Sequence, residues 1–111
     1  MKIEQELELF NSYTKLLMET FAKKRRDYGP TTTETFEKFG PVSMLVRMHD
    51  KLGRLDNLLG GENTPHYESA EDTLVDLANY CLITLLEIQK KKCNEVTNDA
   101  VYEGPIKRYI Q

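Results

Sequence analysis

The stretch ESAEDTLVDLANYCLITLLEI, residues 68–88, decides how the rest of the chain is interpreted. Apolar residues surround most of its helical circumference, which predicts a largely buried helix. Asp72, Asp76 and Asn79 interrupt that pattern at i, i+4 and i+7, so they form one narrow polar stripe. A buried carboxylate is strongly unfavourable unless a cation, a metal ion or hydrogen-bond donors meet it. The stripe therefore raises the question of what contacts Asp76.

The start of this helix accounts for only part of the stripe. Ser69 followed by Asp72 has the spacing of an N-terminal capping pair. Asp76 and Asn79 lie too far into the helix to cap it, so a cap leaves both of them unexplained.

A basic stripe precedes the acidic one in the chain. Residues 42–59 have the apolar intervals of an amphipathic helix, and Arg47, Lys51 and Arg54 lie beside its apolar face at i, i+4 and i+7. Gly60 and Gly61 end this helix, and a short loop leads to residue 68. The two helices are therefore expected to form an antiparallel hairpin.

The first part of the chain predicts two more helices. Residues 2–28 predict a long amphipathic helix whose apolar face is wide enough for two neighbours or a second subunit, and Gly29-Pro30 ends it. A short helix follows, ending at Gly40-Pro41, with Thr31 and Glu34 spaced as a capping box. Threonine hydroxyls at a helix N-terminus can also hold a phosphate, so this alternative stays open.

The helices together predict an all-α fold with three main helices and a short connecting helix, arranged as a bundle. With 111 residues the chain is expected to be a single domain, residues 1–111. We expect a homo-oligomer that assembles through the long first helix and the tail, residues 93–111, which would pack on the body or on a neighbouring subunit.

Charge and hydrophobicity argue against nucleic acids and membranes as partners. The formal net charge of -3 argues against nucleic-acid binding driven by bulk charge. The basic runs Lys23–Arg26 and Lys90–Lys92 are interpreted as cations near helix C-termini. The first ten residues do not form a signal peptide, and the longest apolar run, Tyr80–Leu86, is too short to span a bilayer. We therefore expect a cytoplasmic protein without a membrane or a sequence-specific nucleic acid as partner.

Three interpretations of the stripes are open. In the structural one, Lys51 or Arg54 pairs with Asp72 or Asp76 across the hairpin. In the second, carboxylates hold Mg²⁺ or Mn²⁺, which prefer hard oxygen ligands and often bind substrate phosphate as well. The candidate metal ligands are Asp50, Glu68, Asp72 and Asp76, with Asp72 and Asp76 as the catalytic residues if the protein is an enzyme.

The third interpretation keeps a nucleotide but needs no metal. Arg47, Lys51 and Arg54 would hold its phosphates, and Asn79 would orient the sugar or the base. Tyr28 or Tyr80 would stack on the base.

Three segments together resemble a known family: KRRDYGP at 24–30, RMHDKLGRLDNLL at 47–59 and ESAEDTLVDLANYCLITLL at 68–86. They look like the nucleotide modification associated domain family of the first type, small proteins common in phages and prophages. The resemblance implies that the family's characteristic positions are Tyr28, Arg47, Asp50, Lys51, Arg54, Glu68, Asp72, Asp76 and Tyr80. It also implies a role in phage nucleotide metabolism, within the host cytoplasm.

A looser similarity is to the all-α nucleoside triphosphate pyrophosphohydrolases of the MazG type. Those proteins bind Mg²⁺ with one Glu-x-x-Glu helix and a later Glu-x-x-Asp helix, whereas the earlier helix here has Asp50 and Lys51. The resemblances imply a phage-type nucleotide-binding protein, whose enzymatic version would be a Mg²⁺-dependent nucleoside triphosphate pyrophosphohydrolase. The alternatives are a non-catalytic sponge that sequesters a nucleotide or a cyclic-nucleotide immune signal, and a structural or interaction protein.

Overall fold

The computed structural model describes residues 1–60 and 65–96, and every regular element in this part of the chain is a helix. The helices are α1 (Ile3–Tyr28), α2 (Thr31–Phe39), α3 (Val42–Leu59) and α4 (Tyr67–Val96). The predicted all-α fold of three main helices and a short connecting helix is therefore confirmed. Residues 93–96, the start of the predicted tail, belong to α4. The packing predicted for the tail from residue 97 onward lies outside the described residues.

Two Gly-Pro pairs define the short helix α2. Gly29 and Gly40 have φ values of 61° and 75°, a left-handed conformation that glycine adopts far more readily than other residues. Their backbone N–H groups donate to the carbonyl oxygens of Arg25 and Phe36. The proline after each glycine cannot continue the preceding ladder of hydrogen bonds. Each pair therefore ends one helix just before the next begins, so the start of α2 follows directly on the end of α1.

The antiparallel hairpin of α3 and α4 forms the body of the molecule, as predicted. Lys51 contacts Asp76, and one turn further along α3 Arg54 contacts Thr73, one turn earlier on α4. This register brings Arg47 to the level of Asn79 and Tyr80. The buried apolar side chains come from three helices: Phe36 on α2, Met44 and Leu55 on α3, and Ala70 on α4.

Helix α4 is less buried than its composition predicts. Leu74, Leu82 and Leu85 are each about half exposed, so the expectation of a rod enclosed on nearly all sides is wrong. The side chain of Asp76 keeps 31% of its surface exposed. Because solvent still reaches Asp76, its desolvation is smaller than the sequence suggests.

Helix α1 contributes no buried residue. Apolar side chains in its first half, including Ile3, Leu7 and Phe10, are exposed. A second subunit is a natural partner for such a surface, and the homo-oligomer stays a prediction. No helix in the described ranges combines the length and the apolar character that a membrane span requires.

Both predicted N-terminal caps are wrong. Helix α4 begins at Tyr67, and the N–H of Ala70 donates to the carbonyl of His66, so Ser69 already lies inside the first turn. Helix α2 begins at Thr31 itself, after Pro30, and has no side-chain cap. The Thr31 hydroxyl donates instead to the carbonyl oxygen of Tyr28 at 2.9 Å. In each case the helix starts earlier than the capping pattern indicates.

Candidate functional site

A cleft of about 280 Å³ lies between α1, α2 and α4, with Arg47 of α3 at its edge. We call it the α1–α4 cleft. Helix α1 lines it with its last two turns, α2 with its first residues, and α4 with a stripe that starts at Asp76. Three aromatic side chains contribute to its surface: Phe21, Tyr28 and Tyr80.

The lining of the cleft has an excess of positive charge. Four cationic side chains line it, together with two carboxylates: Lys24, Arg25, Arg47 and Lys90, and Asp76 and Glu87. The protein as a whole has a formal net charge of -3. A concave surface of opposite sign to the rest of the molecule concentrates anions.

Asp76 forms ion pairs at one end of the cleft. Its Oδ2 lies 3.1 Å from Nζ of Lys51, and its Oδ1 lies 3.5 Å from Nζ of Lys24. The pair between Lys51 and Asp76 across the hairpin is the one that the structural interpretation predicts, and it is confirmed. Arg54 does not pair with Asp72; its Nε donates to the hydroxyl of Thr73 at 3.2 Å.

The strength of the pair between Lys51 and Asp76 can be measured with a double-mutant cycle. Because both side chains are partly exposed, we expect a coupling energy of about 0.5–1 kcal/mol for Lys51→Met and Asp76→Leu. The measurement is the urea dependence of unfolding for the wild type, both single variants and the double variant. A coupling energy of zero would contradict this prediction and would mean that the pair adds nothing to stability.

Asn79 is the most unusual residue of the cleft. The residue is 4% exposed, and its Nδ2 has no hydrogen-bond partner among the described residues. Buried polar groups nearly always have a partner, so an unpaired buried donor requires an explanation. Asn79 also lines the cleft, so its unpaired amide belongs to the candidate site.

A polar network closes the other end of the cleft. Glu87 is only 3% exposed, and its Oε1 accepts hydrogen bonds from the Thr33 hydroxyl at 2.9 Å and from Lys90 Nζ at 3.0 Å. Arg25 Nη2 and Lys90 Nζ also donate to Thr33 Oγ1, at 3.2 and 3.1 Å. The network joins α1, α2 and α4 through one threonine and holds two cations beside one buried carboxylate.

The sequence contains a signal for this network that lies beyond the stripe of Asp72, Asp76 and Asn79. The series Asp72, Asp76 and Asn79 continues with the same helical spacing through Ile83 to Glu87 and Lys90. The interpretation of Lys90–Lys92 as cations at a helix C-terminus is wrong, because α4 continues to Val96 and has no basic residue in its last turn. In the other basic run, Lys24 and Arg25 line the cleft.

The structure brings together some of the predicted site residues. Five of them line the cleft: Tyr28, Arg47, Asp76, Asn79 and Tyr80. Lys51 adjoins it through its pair with Asp76, whereas Arg54 is not part of the lining.

The candidate metal ligands do not come together. Asp50, Glu68 and Asp72 are exposed and are not part of the cleft lining. Within residues 1–60 and 65–96, no group of three or more His, Cys, Asp or Glu side chains is arranged to hold a metal ion. The donor set for Mg²⁺ or Mn²⁺ is therefore not assembled around Asp76, and binding of either ion stays a prediction.

Comparisons with known proteins yielded no match among family models, curated proteins or solved structures. The resemblance to the nucleotide modification associated domain family therefore stays a prediction, and the site is interpreted from its own geometry.

Proposed function

We propose that the α1–α4 cleft binds a phosphorylated nucleotide. One observation carries the proposal: the Asn79 amide is buried without an acceptor in a cleft whose lining has an excess of positive charge. A ligand that pairs with the Asn79 amide and with the cations of the lining must be anionic and must have several hydrogen-bond acceptors. Phosphates, ribose oxygens and base carbonyls or ring nitrogens meet that requirement in one molecule.

The remaining lining suits the other parts of a nucleotide. Tyr28 and Tyr80 offer aromatic faces for a base. The volume of about 280 Å³ is just below the range of about 300–1,000 Å³ that is usual for small-molecule sites. The cleft therefore fits a mononucleotide, or one end of a larger nucleotide.

The arrangement of carboxylates favours binding without a metal. Both oxygens of Asp76 face lysine side chains, and the other candidate ligands lie outside the cleft. Magnesium bound through carboxylates usually needs one or two of them free to coordinate it. The non-catalytic version, in which the protein sequesters a nucleotide or a cyclic-nucleotide signal, is thus better supported than the pyrophosphohydrolase. The resemblance to phage proteins agrees with a role of this kind in an infected cell.

Calorimetry with a panel of nucleotides tests this proposal. We expect at least one nucleotide to bind with similar affinity in EDTA and in Mg²⁺, and to be recovered unchanged after heat denaturation of the protein. Mass spectrometry of small molecules that copurify with the protein selects the panel.

A Mg²⁺-dependent release of pyrophosphate that Asp76→Asn abolishes would favour the hydrolase instead. Absence of binding by every nucleotide and cyclic nucleotide tested would leave the structural interpretation, in which the stripes serve only as ion pairs and hydrogen bonds.

A further inference from the structure

We propose that the N-terminus of α2 is the phosphate subsite of the α1–α4 cleft, with Arg25 and Lys90 as its charged walls. The inference rests on the proposed function for the identity of the whole ligand. It adds the direction in which the ligand lies: the phosphate at α2, and the rest of the molecule toward Asn79 and Tyr80. The chemical class is a terminal phosphate, whether on a nucleotide or as free phosphate or pyrophosphate.

The first observation is that α2 begins without a cap. Helix α2 has nine residues, its N-cap is Pro30, and no side chain caps it. In the described part of the chain, the backbone N–H groups of Thr31, Thr32 and Thr33 have no acceptor. The threonine hydroxyls nearby are used elsewhere: Thr31 donates to the Tyr28 carbonyl, and Thr33 to Glu87. Free N–H groups and the positive end of the helix dipole therefore remain for an anion.

The second observation is the charge fixed beside those N–H groups. Arg25 and Lys90 both donate to the Thr33 hydroxyl, on the first turn of α2. Glu87 balances only one of these two cations, and its carboxylate is held in place by the same threonine. The walls are therefore positioned before a ligand arrives, which reduces the entropy lost on binding.

The third observation is the unpaired amide of Asn79, which does not depend on the first two. Asn79 lines the same cleft as Thr31 and Thr32. Asn79 precedes Glu87 by eight residues on α4, a distance of about 12 Å along a helix. A ligand that satisfies both ends must be elongated, with an anionic group at one end and a neutral acceptor at the other. A nucleotide has this shape, whereas inorganic phosphate reaches only the α2 end.

The test is a titration of the full-length, ¹⁵N-labelled chain followed by NMR, with sodium pyrophosphate, nucleoside triphosphates and the matching nucleosides as probes. We expect pyrophosphate and the triphosphates to shift the amide resonances of Thr31–Thr33, and nucleosides to leave them unchanged. Lys90→Gln is expected to weaken pyrophosphate binding about tenfold, the loss of one charge-assisted contact. Its matched control is Lys91→Gln, because Lys91 is exposed and does not line the cleft.

The outcomes separate this inference from the proposed function. If a triphosphate binds at Asn79 and Tyr80 but the α2 amides do not move, the phosphate subsite is wrong and nucleotide binding stands. If pyrophosphate moves the α2 amides but no nucleotide binds more tightly than pyrophosphate, the subsite stands and the proposed function falls. If no probe moves them, the subsite is overturned. The wild-type titration decides between these outcomes even if Lys90→Gln does not fold.

Discussion

Replacing Phe36 by alanine is expected to lower the free energy of unfolding by about 3–5 kcal/mol, the usual effect of removing a buried aromatic side chain. Phe36 is 5% exposed, and it is the only residue of α2 that is buried. A nine-residue helix is too short to be stable by itself. The position of α2 therefore depends largely on this one side chain, and so does the cleft wall that α2 provides.

Phe39 supplies the matched control, because it lies on the same helix and is 63% exposed. Its ring contacts the Lys38 ammonium, 5.4 Å from the ring centroid, an exposed interaction of about 0.5–1 kcal/mol. Phe39→Ala should therefore lower the free energy of unfolding by no more than that. Urea denaturation followed by circular dichroism measures both variants. Similar losses for Phe36→Ala and Phe39→Ala would contradict the packing of α2 through Phe36.

The sequence was sufficient to predict the helices because strong local signals mark their ends. Gly29-Pro30 and Gly40-Pro41 interrupt helices by backbone geometry alone, and the apolar intervals between the breaks match a helical period. The pair between Lys51 and Asp76 was also predictable, since two stripes with the same spacing on the two helices of a hairpin must face each other in some register. The helix ends follow from residues adjacent in the chain, and the ion pair follows from two helices that one short loop connects.

The features that the sequence did not predict depend on contacts among three helices. Glu87 has Thr33 of α2 as a partner, and Thr33 in turn accepts from Arg25 of α1. These residues are too far apart in the chain for any spacing rule to join them. The exposure of Leu74 and Leu82 was missed for a related reason. Apolar composition indicates a helix face that favours burial, but it does not reveal whether the chain itself can cover that face.

The unpaired amide of Asn79 predicts a trade-off: removing it should make the ligand-free protein more stable and weaken ligand binding. A buried donor without an acceptor costs the folded state about 1–3 kcal/mol. Asn79→Leu removes that donor and keeps a side chain of similar shape, so we expect the free energy of unfolding of the ligand-free protein to rise by up to about this amount. Urea denaturation in the absence of ligand measures the change.

The same variant should bind nucleotide about 10–100-fold more weakly, because a hydrogen bond to the ligand is lost and no other donor replaces it. Asn57→Leu is the matched control: Asn57 is exposed on α3 and does not line the cleft, so both quantities should change little. A lower stability for Asn79→Leu would mean that the amide already has a partner in the free protein. Unchanged affinity would mean that the ligand does not contact it. Only a residue retained for a ligand is expected to give the combination of higher stability and weaker binding, because a purely structural asparagine would lose stability when replaced.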